Sequence, residues 1–270
     1  MKEGRWERVI LGVSWKILVF IFLFSSGLQA QIFFGLTPIR VDLKLKPGSQ
    51  TTDIFYVRNN SVKPVRIKVY AENWFLKDDG TPVFIGGQET TFSCQKWIKV
   101  NPFDFRLQPG EMKSVRFTVS VPEDTEAGGY HAAVSFENVP EVQPGEKIGQ
   151  VAFTGKIASA IYVVVGKVEP EGRLEDLVFQ HSGDSQLIKL RLSNSGRTHF
   201  RLKGEIIIRT LEGKKISTLE IPDEPVLPAM ERWVTLPLKA KLFPGNYRVE
   251  VKMDIGREEL IGLEKEISVK

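Results

Sequence analysis

Few residues in this 270-residue chain could do chemistry: three histidines, one cysteine, and scattered carboxylates and amines. Catalysis or metal binding needs such groups at defined spacings, with a base within reach of a nucleophile or several ligands converging on one point. His131, His181 and His199 lie in unrelated segments, and the sequence holds no HExxH, CxxC, GxSxG or glycine-rich phosphate loop. Asp78 and Asp79 precede Gly80 in "KDDGTP", which reads as a hairpin turn rather than a cation site. No helical pattern follows Gly128 and Gly129, so they do not form a phosphate cradle. Cys94, in "FSCQKW", has no evident base beside it and reads as a small, partly buried structural residue. Trp74 and Trp97 could stack on a sugar, but buried sandwich aromatics are the simpler reading. No catalytic residue, metal ligand or cofactor is assigned. Only a site assembled from distant loops escapes these spacing rules.

The elements that would position any site follow from composition and pattern. At 42% apolar and 26% charged the chain has an ordinary globular composition, with material for two cores of roughly 100 to 150 residues each. Residues 1–30 stand apart, because "MKEGRWERVILGVSWK" is a basic lead, "ILVFIFLF" a short apolar run, and "SSGLQA" a small-residue site before Gln31. That order is the signature of a secretory signal peptide with cleavage after Ala30; the alternative is an uncleaved amino-terminal anchor, against which Ser14 and Lys16 interrupt the apolar segment from Val9. Removing Lys2, Arg5, Arg8 and Lys16 with Glu3 and Glu7 lowers the net charge from +4 to +2. With both signs interspersed, the mature chain has no basic footprint for nucleic acid. A single cysteine excludes an internal disulfide, so stability must come from packed cores.

From Ile32 onward, short runs with alternating apolar positions end at Pro, Gly, Asn or Asp: "IRVDLKL" at "KPGS", "VRIKVYAENWFL" at "KDDGTP", "KSVRFTVSV" at "PEDTEAGG". Period two with turn punctuation predicts strands, and no mature segment holds a helical period for three turns. The expectation is an all-β chain of two immunoglobulin-like β-sandwich domains in tandem, residues 31–166 and 174–270, joined by a linker at 167–173. Seven or eight strands are expected between Leu36 and Val165, and seven more after the linker. "VRNNSVKPVRIKV" and "LSNSGRTHFRLKGEI" share the order strand, Asn-led turn, strand, a weak internal echo.

The sixteen residues "QVAFTGKIASAIYVVV", 150–165, carry one charge. Gly155, Lys156 and Ser159 leave them short of the ~20 apolar residues of a membrane helix, so no span is expected in the mature chain. As one strand they would run ~50 Å at about 3.3 Å per residue, and would put Ile157, Ile161, Val163 and Val165 on one face. So long a strand either bends between sheets or leaves part of its apolar row available.

Over residues 36 to 166 the chain resembles the PapD-like periplasmic chaperones of pilus and fimbria assembly. The stretches are "TPIRVDLKLKPGSQTTDIFYVRN", "WIKVNPFDFRLQPGEMKSVRFTVSVP", and "GGYHAAVSFENVP" followed by "GQVAFTGKIASAIYVV". The resemblance implies a non-enzymatic chaperone in the periplasm whose partners are secreted pilin-like subunits, with an outer-membrane assembly platform as a further partner. In that family the last strand of the first domain completes a subunit that lacks a strand, a form of β-strand addition. The implied donor row here is Ile148, Val151 and Phe153, with Ile157 continuing toward the core; Val151 and Phe153 also fit plain sandwich core. The family holds the subunit's terminal carboxylate with an Arg of the first strand and a Lys of the last. Arg40 matches the Arg, which could equally be a solvated strand residue. The Lys position carries Ala158, so Lys156, two residues earlier on the same face, is the candidate substitute. The second domain fits a generic exported sandwich equally well. That leaves an adhesion or binding module of two immunoglobulin-like domains as the alternative function.

Overall fold

The computed structural model describes residues 34–140, 154–239 and 241–270. The leader 1–30 and the donor candidates Ile148, Val151 and Phe153 lie outside the described residues.

The first half comprises β1 (Phe34–Thr37), β2 (Arg40–Leu45), β3 (Gln50–Asn59), β4 (Val65–Leu76) and β5 (Pro82–Gly86). It continues with β6 (Ile98–Asn101), β7 (Asp104–Leu107), β8 (Met112–Ser120), β9 (Gly128–Val139) and β10 (Lys156–Val165). One sheet runs β1-β3-β8-β6; the other runs β2-β10-β9-β4-β5, with β7 also on β4. The described strands exceed the expected seven or eight because two sequence runs each divide between sheets. "FGLTPIRVDLKL" leaves one sheet after Thr37 and enters the other at Arg40, and "IKVNPFDFRL" does the same around Pro102. In each run a proline, which has no N–H to continue the ladder, stands at the crossing.

The inner faces of both sheets bury one apolar cluster. At its centre the Phe55 and Phe117 rings stack at 4.4 Å, and Phe136 meets Phe55 edge-on at 5.4 Å. Cys94 is fully buried here, and burial drives its thiol pKa up, so it is an inert structural residue.

The second half holds β11 (Gly172–Ser182), β12 (Ser185–Asn194), β13 (Phe200–Arg201), β14 (Lys203–Thr210) and β15 (Lys215–Ile221). It ends with β16 (Pro225–Val226), β17 (Met230–Pro237), β18 (Gly245–Asp254) and β19 (Ile261–Val269). Sheets β11-β12-β17 and β15-β14-β18-β19 close over a second apolar cluster, and β13 pairs with β16 beside them. The two-residue strands β13 and β16 are too short to show a period, which is why the count exceeds the expected seven. The chain is therefore all-β, built from two sandwiches.

The Asn-led turns turn out to be chemically equivalent. Asn59 Nδ2 donates to Lys63 O at 2.8 Å and Leu107 O at 3.1 Å, while its Oδ1 accepts from Ser61 N at 2.8 Å. Asn194 Nδ2 donates to Thr198 O at 2.9 Å and Val226 O at 3.0 Å, and its Oδ1 accepts from Gly196 N at 3.0 Å. Each buried amide closes its own turn and ties it to a distant strand. Such a role needs two N–H donors and a carbonyl acceptor on one side chain, the set that an Asn or Gln amide carries.

Candidate functional site at β10 and the face beside it

β10 lies between two neighbours that cover it unequally. β9 pairs antiparallel with it along its whole length, Lys156 opposite Glu137 to Val165 opposite Gly128. β2 runs parallel to it but pairs only Arg40 to Leu45 with Ala160 to Val165. Among the described residues, Lys156–Ser159 thus has no strand on its β2 side. The N–H of Ala160 points to that side, donating to Ile39 O at 3.0 Å. Successive residues of a strand turn their amides to opposite edges, so the backbone groups of Ala158 and Lys156 face the uncovered edge. An edge of this kind is a template for a further strand.

Thr154 and Gly155 are not part of the strand, which starts at Lys156. The N–H of Gly155 is taken by the Asn138 side-chain Oδ1 instead of a backbone carbonyl, although its own carbonyl still accepts Asn138 N at 3.0 Å. Within β10 the expected alternation holds: Ile161, Val163 and Val165 are fully buried in the first core, and Ile157 packs against it partly covered.

The other face of β10 carries Lys156, Ala158, Ala160 and Tyr162. Paired residues share a face, so Arg40, Ala160, Ala133 and Glu72 form one row across β2, β10, β9 and β4. Arg40 and Lys156 therefore lie on the same sheet face, but each has its own carboxylates. Arg40 Nε meets Asp42 Oδ2 at 2.9 Å, and its Nη1 meets Asp223 Oδ2 of the second sandwich at 2.9 Å. The Asp223 hydrogen bond holds the guanidinium above its ordinary pKa. Asp223 is also bound by Arg201 Nε at 2.5 Å, and Arg201 first, then Arg40, keep its carboxyl below the usual range. Lys156 Nζ meets Glu72 Oε1 at 2.8 Å and stands 4.1 Å from the Phe84 ring centroid. Glu72 is almost fully buried and also accepts the Ser135 hydroxyl.

Further along this face, side chains of both sandwiches meet in a third apolar cluster. It contains Trp74, Leu76, Ala133, Tyr162 and, from the second sandwich, Leu227, with Ala158, Ala160 and Met230 packed against it. Trp74 and Tyr162 meet edge-on at 6.1 Å, Trp74 and His131 at 5.4 Å, and Tyr162 lies 4.4 Å from His199. Histidines from unrelated segments thus share one aromatic patch, which their spacing did not indicate. Burial lowers both to about 4 and raises Tyr162 to about 12. Trp74 is buried packing material, not a sugar platform; Trp97 packs against the first core 4.6 Å from Tyr130.

The contact is tightened by backbone. Gly129 N donates to Arg197 O at 2.7 Å, and Trp233 N of β17 donates to Asp78 O at 2.6 Å. Asp78 and Asp79 therefore do sit in a hairpin turn, between β4 and β5, whose tip docks on the second sandwich.

Glu72, Asp223 and the pair Tyr162–His199 were not singled out from sequence. Arg40 and Asp223 are 183 residues apart, and Lys156 and Glu72 are 84 apart, so no local spacing encodes either pairing. Among the described residues no group of three or more His, Cys, Asp or Glu side chains could hold a metal. No described helix is long and apolar enough to cross a membrane.

No protein-family model matches this sequence, and no curated protein matches it. The chain is similar to solved two-sandwich chaperone structures. The class 5 fimbriae chaperone CfaA is 18% identical, with 88% of this chain and 99% of that one covered at a TM-score of 0.44. The E. coli chaperone DraB is 18% identical, with 88% and 96% covered at a TM-score of 0.42. The Pseudomonas aeruginosa chaperone CupB2 is 12% identical, with 86% and 97% covered at a TM-score of 0.39.

Proposed function

We propose that this protein is a periplasmic, non-enzymatic chaperone that caps secreted pilin-like subunits by lending them a strand. The observation that carries the reading is the uncovered edge at Lys156–Ser159, where β10 has β9 on one side and no described strand on the other. The same chain leads back to the apolar donor candidates Ile148, Val151 and Phe153. A subunit strand laid along that edge would gain backbone hydrogen bonds, and the apolar row would fill its groove. In this reading residues 31–166 are the subunit-binding domain, 167–173 the linker and 174–270 the second domain. Arg40 and Lys156 would receive a subunit carboxylate by exchange with Asp42, Asp223 and Glu72. An outer-membrane platform would take the capped subunit onward.

The test is recovery of partners from periplasmic extract by the tagged wild type and by Val151→Arg/Phe153→Arg, identified by mass spectrometry. A small secreted β-protein captured by the wild type and lost in the double variant, with unchanged circular dichroism, is the expected result. Equal capture by both overturns strand donation and favours an adhesion module.

A further inference from the structure

The end of the second sandwich away from the first collects the β11–β12 turn, the β14–β15 turn and the β17–β18 loop. Thr210 pairs with Tyr247 there, and Leu187 with Pro237. The β17–β18 loop is tied to its neighbours at Leu242 and Phe243. Leu242 is buried, its N–H donates to Gln186 Oε1 at 2.6 Å, and its carbonyl accepts Gln186 Nε2 at 3.0 Å. The next carbonyl, of Phe243, accepts the Tyr247 hydroxyl at 2.9 Å. Locked on both sides, the loop thrusts the Phe243 side chain outward, 82% exposed, and Leu211 on the neighbouring turn is 40% exposed. Among the described residues, Lys214, Lys215, Lys239 and Lys241 around them are exposed and form no ion pair. The acidic residues at this end are Glu212 and Asp184.

We propose that this tip docks on the surface of a bilayer containing anionic phospholipid, inserting Phe243 and Leu211 among the headgroups. A tip with an exposed aromatic side chain and a lysine rim suits a deformable surface, whereas a folded protein partner would have to supply a matching pocket. Exposed Phe and Leu side chains favour the headgroup boundary, and each lysine near an anionic surface adds electrostatic attraction. The charge complementarity is thus specific to an anionic surface. This contact is at the far end from β10 and stands independently of strand donation.

The test is co-sedimentation of the purified protein with vesicles of phosphatidylcholine alone or mixed equally with phosphatidylglycerol. The expected result is partitioning onto the anionic vesicles, weakened at high salt. Phe243→Ser/Leu211→Ser and Lys214→Glu/Lys241→Glu should each reduce it by about tenfold or more. Phe243→Trp should add fluorescence that brominated lipid quenches. No partitioning, equal partitioning onto neutral vesicles, or partitioning unchanged in the tip variants overturns the proposal. So does retention on heparin without vesicle binding, which would mark a general polyanion surface.

Discussion

The phenol ring of Tyr162 in β10 packs against the imidazole of His199, centroids 4.4 Å apart, so a strand of the first sandwich and a loop of the second share one buried contact. His131 lies on the far side of Trp74 in the same patch, and the Nδ1 atoms of both histidines are buried without a hydrogen-bond partner.

This contact predicts acid sensitivity. Both histidines are held near 4 by burial, below the ~6.5 of an unfolded chain. The unfolded state therefore binds more protons between those values, and stability, full above about pH 6.5, falls as pH drops toward 4. Urea unfolding at about pH 4.5 should show a loss of roughly 2 kcal/mol per histidine relative to neutral pH. His131→Asn/His199→Asn should flatten that dependence; an unchanged pH slope would refute the assignment.

Gly129 is required by the close approach of the second sandwich. A Cβ there would stand 2.4 Å from Thr198 Oγ1 and 2.8 Å from Thr198 Cα, and the backbone atom cannot swing away. Gly129→Ala should therefore push the 197–199 loop outward and cost about 1–3 kcal/mol. Differential scanning calorimetry and limited proteolysis between the sandwiches would detect the change.

The buried amides of Asn59 and Asn194 should matter equally in their two sandwiches. Asn59→Ala or Asn194→Ala removes two amide donations to backbone carbonyls and the acceptor of a turn N–H, and each should lower stability by roughly 2–4 kcal/mol. Denaturant titration of both variants checks this, and a change under about 0.5 kcal/mol, the scale of an ordinary surface substitution, would contradict it.

Lys156 and Glu72 should behave as a coupled pair. Lys156→Met strands a nearly buried carboxylate, while adding Glu72→Gln removes the charge and keeps an amide oxygen as acceptor for the Ser135 hydroxyl. The single Lys156→Met variant should lose about 1–3 kcal/mol, discounted for the partial exposure of the lysine, and the double variant should recover part of it. A double-mutant cycle with zero coupling would show that the pair is not formed.

Several features were legible because they are local. Alternation over "KIASAIYVVV" is enough to send Ile161, Val163 and Val165 inward, since strand geometry has period two and one face must be buried. "KDDGTP" specifies its turn through Asp-Gly chemistry, and Gly80 there takes φ of +83°. By contrast, strand breaks at sheet changes were missed, because a chain crossing from one sheet to the other keeps its alternation while its partners change.

By itself, then, the amino-acid sequence determined an all-β chain and the inward face of β10, each set by residues within a few positions of one another, and marked the two Asn-led turns without their ties to Leu107 and Val226. The tertiary structure alone decided that Asp223 would reach Arg40, that Glu72 would take Lys156, and that His131 and His199 would meet around Trp74 and Tyr162. Those contacts join residues that only sheet order and sandwich docking bring together. Their energies depend on burial, and burial belongs to the folded arrangement rather than to any stretch of chain.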